Sequence, residues 1–299
     1  MIIFHVLMGG AEHRALRLFD DNSLNLLIAA SMLTFETRWK KYLSLIHKKK
    51  KLLFADSGLL GWIKKLGKEA WKYALDPEKV LEIQLQIDPD IIAHVDIPCE
   101  TEILKKLGTN RPTAIAQTIQ NARWIVERKE GGDRRLKGKA VALVVQGFHK
   151  QDYEFCLRQY EKLGFFDLDP GEYWFAIGSV CMRKPPELYE IVKFVRERIP
   201  ERFHVHCFGI ANPKWVLEMK KYGINSVDSA TATTAAGFFA FIDNGGKRRR
   251  LKLRSKNKYM FAAITAFNWA SLEFQIENGV EAERELFEEC NVYAKGAKK

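Results

Sequence analysis

Asp56, Asp96, Gln146, Gly178 with Ser179, Gly209 and Asp228 each follow a short apolar run, in the contexts FADSG, HVDIPC, VVQGF, AIGSV, CFGIA and SVDSA. Such a set can do glycosyl chemistry. One aspartate can attack an anomeric carbon and hold a covalent glycosyl ester, while a second carboxylate protonates the leaving group and later acts as a base. A third carboxylate, an amide and backbone groups can pair with the edge of a planar nucleobase, because carboxylates accept from amino and imino N–H and Gln both donates and accepts. Paired carboxylates equally suit a retaining glycosidase on carbohydrate. One Asp or Gly at such a place is a turn or helix cap. Three carboxylates with an amide favour a polar pocket.

The elements that must position these residues alternate along the chain. Strand-like runs fall at 2–7, 51–55, 91–95, 140–145, 173–177, 204–208 and 224–227, with helical patterns at 77–86, 114–129, 152–163, 186–198 and 213–222. Asn212 before Pro213 is a helix start, and Gly164 and Gly223 stand where helix C-caps belong. Strand–helix–strand alternation at this spacing means parallel strands with right-handed crossovers. Seven strands are identified, and an eighth is expected at 237–242 or within 251–253. Eight would close a single α/β domain, a (β/α)8 TIM-type barrel over residues 1–299, with its chemistry at the C-terminal strand ends. An open doubly wound sheet is the alternative, but no GxGxxG follows the first strand. The first 50 residues read as one strand, a helix over 23–34 and a basic loop.

The chain carries 48 Lys and Arg against 37 Asp and Glu, a net charge of +11, and the excess is clustered. The stretch 247–258, KRRRLKLRSKNK, holds Lys247, Arg248, Arg249, Arg250, Lys252, Arg254 and two further lysines with no acid. Other basic runs lie at 47–51, at 134–139 and at the C-terminus. Charge runs are commonly solvated surface, but several together raise the expectation of a polyanionic partner, because each phosphate contact releases a counterion. This favours the nucleoside over the carbohydrate. Five scattered cysteines without a CxxC pair argue against a disulfide framework, and no uncharged apolar run is long enough for a membrane span. The expectation is a soluble cytoplasmic protein.

At these residues the sequence resembles the tRNA-guanine transglycosylase superfamily, which exchanges guanine for a 7-deazaguanine base. Asp56-Ser57-Gly58 stands for the family's DSGG, Asp96 in HVDIPCE for its base-binding aspartate, and Val145-Gln146-Gly147 for VQGG. Ala176-Ile177-Gly178-Ser179 stands for AIGG, Phe208-Gly209-Ile210 for MGVG, and the run from Gly223 to Asp228 for GVDMFD. TIQNARWIVE at 118–127 and the surroundings of Asn268 are also similar. The resemblance implies that Asp228 is the nucleophile at C1′ and Asp56 the general acid/base. It implies that Asp96, Gln146 and the backbone at Gly178 and Ser179, with Gly209 beside them, read the base, and that Phe208, a Met in the family, stacks on it. Free guanine and a 7-deazaguanine of the preQ0 type would be the small-molecule partners, without a cofactor.

The departures are as informative. The family's aromatic stacking residue is Leu60 here, so the pocket is altered or Trp62 substitutes. The CxCxxC and later His of the family's zinc site are missing; the basic segment 247–258 stands there instead, expected as an insertion after strand 7 and followed by a helix at about 260–290. Phe267 replaces the His, and Cys290 alone cannot build a tetrahedral site, so no metal is expected. In the family's tRNA enzymes the zinc region shapes the tRNA-facing side and contributes to dimerisation. Its replacement implies a different polymer and a monomer, and points to the DNA-modifying DpdA-type branch, for which a duplex base must be flipped into the pocket. The alternatives are a tRNA enzyme of the queuosine or archaeosine type and a non-catalytic nucleic-acid-binding subunit. Trp62, Trp71 and Phe148 could hold a strand, though each alone reads more simply as core or rim. His94, His204 and His206 lie in strand runs. His204 and His206 share a face and read as hydrogen-bonded in place rather than as a metal pair, while Cys99 reads as a small buried residue.

Overall fold

In the computed structural model, which describes residues 1–8, 12–210, 212–238, 240–242, 248–250 and 258–278, eight parallel strands run in chain order around a closed barrel. They are β1 (Ile2–Val6), β2 (Leu24–Ala29), β3 (Lys50–Asp56), β4 (Ile91–Ala93), β5 (Ala140–Val145), β6 (Tyr173–Ile177), β7 (Val205–Cys207) and β8 (Ser226–Ser229). Pairing of β1 with β8, in a register that sets Ile2 against Ser226 and Phe4 against Asp228, closes the ring. The strands are apolar on both faces because both are covered. One face fills the barrel with Phe4, Leu27, Phe54, Ile91, Ala93, Ala142, Val144 and Ala176. The other, including Val141, Leu143, Tyr173, Phe175 and Ile177, packs under the helices.

The period of two carries the inward rows on to the rim. Phe54 is followed on its row by Asp56, Val144 by Gln146, Ala176 by Gly178 and Ser226 by Asp228. The connecting helices start on sequence-encoded caps. Asp76 accepts from the Lys79 N–H at Pro77–Leu85, Asn110 from Thr113 at Arg111–Glu130, and Asn212 from Lys214 at Pro213–Lys221, each with Pro in the first turn. Lys150–Lys162 and Glu187–Arg196 complete the set over the regions expected.

Three expectations are corrected. The apolar run at 23–34 is not one helix but β2 followed by the helix Ala30–Phe35, so the missing strand is the second of the barrel. A continuous apolar run has no period to separate a buried strand from a buried helix, and its Leu and Ala content favoured the helix. The segment expected as an eighth barrel strand instead forms Ala240–Ile242, antiparallel to Arg248–Arg250 in a separate two-stranded sheet, while 251–253 lies outside the described residues. The basic segment therefore follows strand 8, not strand 7.

Beyond this sheet, the helix Lys258–Asn278 packs against the helix Thr231–Gly237 and the first strand of the hairpin. Fully buried Asn268 joins them, accepting from the Ile242 N–H at 2.9 Å and donating to the Ala232 and Ala240 carbonyls, both at 3.1 Å. The expected extension of this helix to 290 lies outside the described residues. No helix among the described residues is long and apolar enough to cross a membrane.

Candidate active site

The C-terminal rim brings Asp56, Asp96, Gln146, Gly178, Ser179, Phe208, Gly209 and Asp228 together in one cleft of about 170 Å³. Asp56 ends β3, and its Oδ2 accepts from the Gly58 N–H at 3.2 Å. Burial, then the charges of Asp96 and Asp228, push its pKa from 3.8 up to about 8. That shift favours the protonated carboxyl at neutral pH.

Asp96 sits deeper, on the loop after β4. Its Oδ1 accepts from Ser57 Oγ at 2.8 Å and its Oδ2 from Gln146 Nε2 at 2.5 Å, while burial raises its pKa against the pull of these two bonds. The Gln146 carbonyl accepts in turn from Ser179 Oγ at 2.7 Å. Ser179 has φ +53°, a left-handed conformation unusual for a side chain-bearing residue, and its hydroxyl also accepts from the Cys99 N–H at 2.8 Å and lies 3.0 Å from Glu100 Oε2. Gly178 has no room for a Cβ, which would collide with the Gln146 amide. These groups form one connected array along a wall of the cleft, with donors and acceptors suited to a planar heterocycle edge.

Residues behind the cleft hold that wall. Buried Gln84 donates from Nε2 to the carbonyls of Ala55 and Ala93, at 3.0 and 2.9 Å, tying the ends of β3 and β4 where Asp56 and Asp96 emerge. Thr118 Oγ1 accepts from the Ile97 N–H at 3.0 Å, and Asn121 Nδ2 donates to the Val95 carbonyl at 3.0 Å and to Ala74 at 2.9 Å. The TIQN stretch of the helix Arg111–Glu130 therefore fixes the loop on both sides of Asp96. Tyr153 donates to the Gly178 carbonyl at 2.8 Å.

Across the cleft, Asp228 Oδ1 accepts from the Gly209 N–H at 2.7 Å and contacts His206 Nε2 at 3.2 Å. Gly209 has φ +71°, and a Cβ there would meet Cys181 Cβ at 2.5 Å, so the amide that faces Asp228 depends on glycine. Phe208 lines the cleft with its ring 4.6 Å from His206.

Leu60 lines the cleft, whereas Trp62 is fully buried and stacks on Tyr73 at 4.0 Å. Trp62 therefore does not substitute for the aromatic partner; two residues on from Leu60 along the helix Leu59–Leu66 it faces the opposite side, into the core. Phe148 lies under the guanidinium groups of Arg111 and Arg183, both 4.7 Å from its ring. His94 is structural: Nε2 accepts from the Val144 N–H at 2.8 Å, Nδ1 bonds the Val95 carbonyl at 3.0 Å, and burial lowers its pKa to about 4. His204 and His206 are hydrogen-bonded to Ser226, at 2.8 and 2.9 Å. Glu100, His206 and Ser226 were not singled out as site residues from sequence; only the inward period of β7 and β8 could have pointed to the last two.

Among the described residues no group of three or more His, Cys, Asp or Glu is arranged to hold a metal ion, and Cys290 lies outside them. Arg248, Arg249 and Arg250 are exposed on the hairpin, while Lys247, Lys252 and Arg254 lie outside the described residues.

Residues 68–278 match the queuine tRNA-ribosyltransferase family, a span that includes every residue of the cleft named above except the Asp56–Leu60 stretch. A queuine tRNA-ribosyltransferase of Cyanothece sp. is 30% identical over 164 residues, 54% of this chain and 39% of that protein. One from Thermosipho africanus is 27% identical over 192 residues, 64% of this chain and 48% of that protein. The matches thus span less than half the length of these curated relatives.

Proposed function

The chain belongs to the queuine tRNA-ribosyltransferase family, and from that premise we propose that it is a guanine transglycosylase that exchanges guanine for a 7-deazaguanine base in a nucleic acid. The observation that carries this reading is the pairing across one cleft of Asp228, held by the Gly209 N–H, with an Asp56 that keeps its proton to about pH 8. An Asp228 oxygen attacks C1′, the glycosidic C–N bond breaks, and its electron pair leaves with guanine, which takes the Asp56 proton. The incoming base returns a proton to Asp56, its ring nitrogen attacks C1′, and the Asp228 ester bond breaks to restore the carboxylate. Asp96, Gln146, Gly178 and Ser179 read the base edge, and Phe208 packs against its face.

The names of the matched relatives support tRNA as the polymer. DNA is the second reading, favoured by the basic segment 247–258 that replaces the family's zinc-site cysteines. A labelled guanine or 7-deazaguanine base is incubated with the protein and tRNA, single-stranded DNA or duplex DNA, and the polymer is run on a denaturing gel. Label in tRNA alone supports the first reading and label in DNA alone the second; loss of label with Asp228→Ala is expected in either case. Binding without label in any polymer would point to a non-catalytic subunit.

A further inference from the structure

A line of polar groups runs through the apolar interior of the barrel and ends on Asp228. His204 Nε2 lies 2.8 Å from Ser226 Oγ, Ser226 Oγ lies 2.9 Å from His206 Nδ1, and His206 Nε2 lies 3.2 Å from Asp228 Oδ1. His206 and Ser226 are completely buried. Three phenyl rings stand edge-on to the His206 ring, Phe4 at 5.7 Å, Phe54 at 5.1 Å and Phe208 at 4.6 Å. His204 is clamped against Trp174, ring to ring at 3.6 Å. Among the described residues the imidazole bonds only Ser226 and Asp228, so each of its nitrogens has one defined contact.

Proton counting then gives the chain a direction. A carboxylate oxygen only accepts, so His206 donates from Nε2. With one proton on that ring, Nδ1 must accept, and the Ser226 hydroxyl supplies its single proton there. Ser226 Oγ is then the acceptor for His204 Nε2–H. Burial above all lowers the His204 pKa to about 3, which keeps one proton on that ring as this assignment requires. Asp228 Oδ1 consequently takes two donors, His206 and the Gly209 N–H, while no donor among the described residues bonds Oδ2.

We propose that the His204–Ser226–His206 chain is a positioning relay for Asp228, locking His206 as the Nε2–H tautomer and turning Asp228 so that Oδ2 is the oxygen presented to C1′. The role of the relay rests on Asp228 being the nucleophile. His206 and Ser226 are positioning residues: neither lines the cleft, and both act through the carboxylate. The design also explains why β7 and β8 direct polar groups into an interior otherwise filled by Phe, Leu, Ile and Ala.

The tautomer is read directly, in the substrate-free protein, from long-range 1H–15N correlations of the histidine rings. Wild type is expected to show a protonated Nε2 and a bare Nδ1 at His206, and Ser226→Ala a mixture of tautomers. In the base-exchange assay Ser226→Ala and His206→Leu are expected to lower kcat by roughly tenfold to a hundredfold with little change in KM for the base, the cost of a misdirected reacting atom. His206→Gln, whose amide can donate where Nε2 does, should recover most of what His206→Leu loses. A protonated Nδ1 at His206 in wild type, or an unchanged kcat in a folded Ser226→Ala protein, would overturn the relay. Base exchange that survives Asp228→Ala would instead overturn the nucleophile assignment, a failure the ring spectra of the wild type cannot imitate.

Discussion

At the scale of single residues the cleft separates two aspartates by environment. Asp228 is met by the Gly209 N–H and His206, whereas burial, then the charges of Asp96 and Asp228, push Asp56 from 3.8 to about 8. Two carboxylates with different surroundings suit the different roles proposed for them, as in other acid/base pairs. The sign of the pH dependence follows. In the proposed exchange the leaving base takes the Asp56 proton, so kcat is expected to hold through neutrality and fall as pH rises through about 8, a limb that Asp56→Asn is expected to abolish together with most of the activity. Stability runs the same way. Because the folded-state pKa is the higher one, the folded chain binds more protons than the unfolded chain between 3.8 and about 8, and loses stability as pH rises across that window. Asp56→Asn should therefore melt higher than wild type at pH 8, by about 2–4 °C for roughly 1 kcal/mol relieved; calorimetry showing a lower Tm would contradict this account of the site.

Elements matter because the reactive groups stand on short strand ends. β4 has only three residues, and Asp96 lies beyond it on a loop without regular structure. The helix Arg111–Glu130 supplies what the strand lacks, through Thr118 on Ile97 and Asn121 on Val95. Asn121→Leu leaves the Val95 and Ala74 carbonyls without their side-chain donor and is expected to cost about 1–3 kcal/mol in urea unfolding. It should also raise KM for the base more than it lowers kcat, since it loosens Asp96, the residue proposed to read the base, and leaves Asp228 alone. In the sequence, TIQN could be matched as a motif but not explained, because its partners are backbone carbonyls 26 and 47 residues away.

On the scale of the whole molecule, the +11 charge and the Arg248–Arg250 strand govern how a polyanion is met. Period two sets Arg248 and Arg250 on one face of the hairpin and Arg249 on the other. If both side chains of the shared face meet phosphates, Arg248→Ala/Arg250→Ala should flatten the plot of log binding constant against log salt by about 0.7 per lost contact on single strands and about 0.9 on duplex DNA. An unchanged slope in a fluorescence titration would show that this face does not touch the polymer.

The barrel class, seven of its eight strands, five of the helices between them and the residues of the rim were legible because they rest on local signals: apolar runs, Pro and Asn starts, and Asp, Gln or Gly at strand ends. β2 was not, since an apolar run such as LNLLIA becomes a strand only when neighbours on both sides offer hydrogen-bond ladders, here β1 and β3. The place of Trp62 in the core, the elevated pKa of Asp56 and the polar chain behind Asp228 were equally out of reach. Each depends on which groups from distant strands share one small volume, and sequence spacing carries no information about that distance. Local propensity and pattern determined the elements and their order; closure of the ring, setting Phe4 beside Asp228 across 224 residues of chain, decided which side chains share the candidate active site.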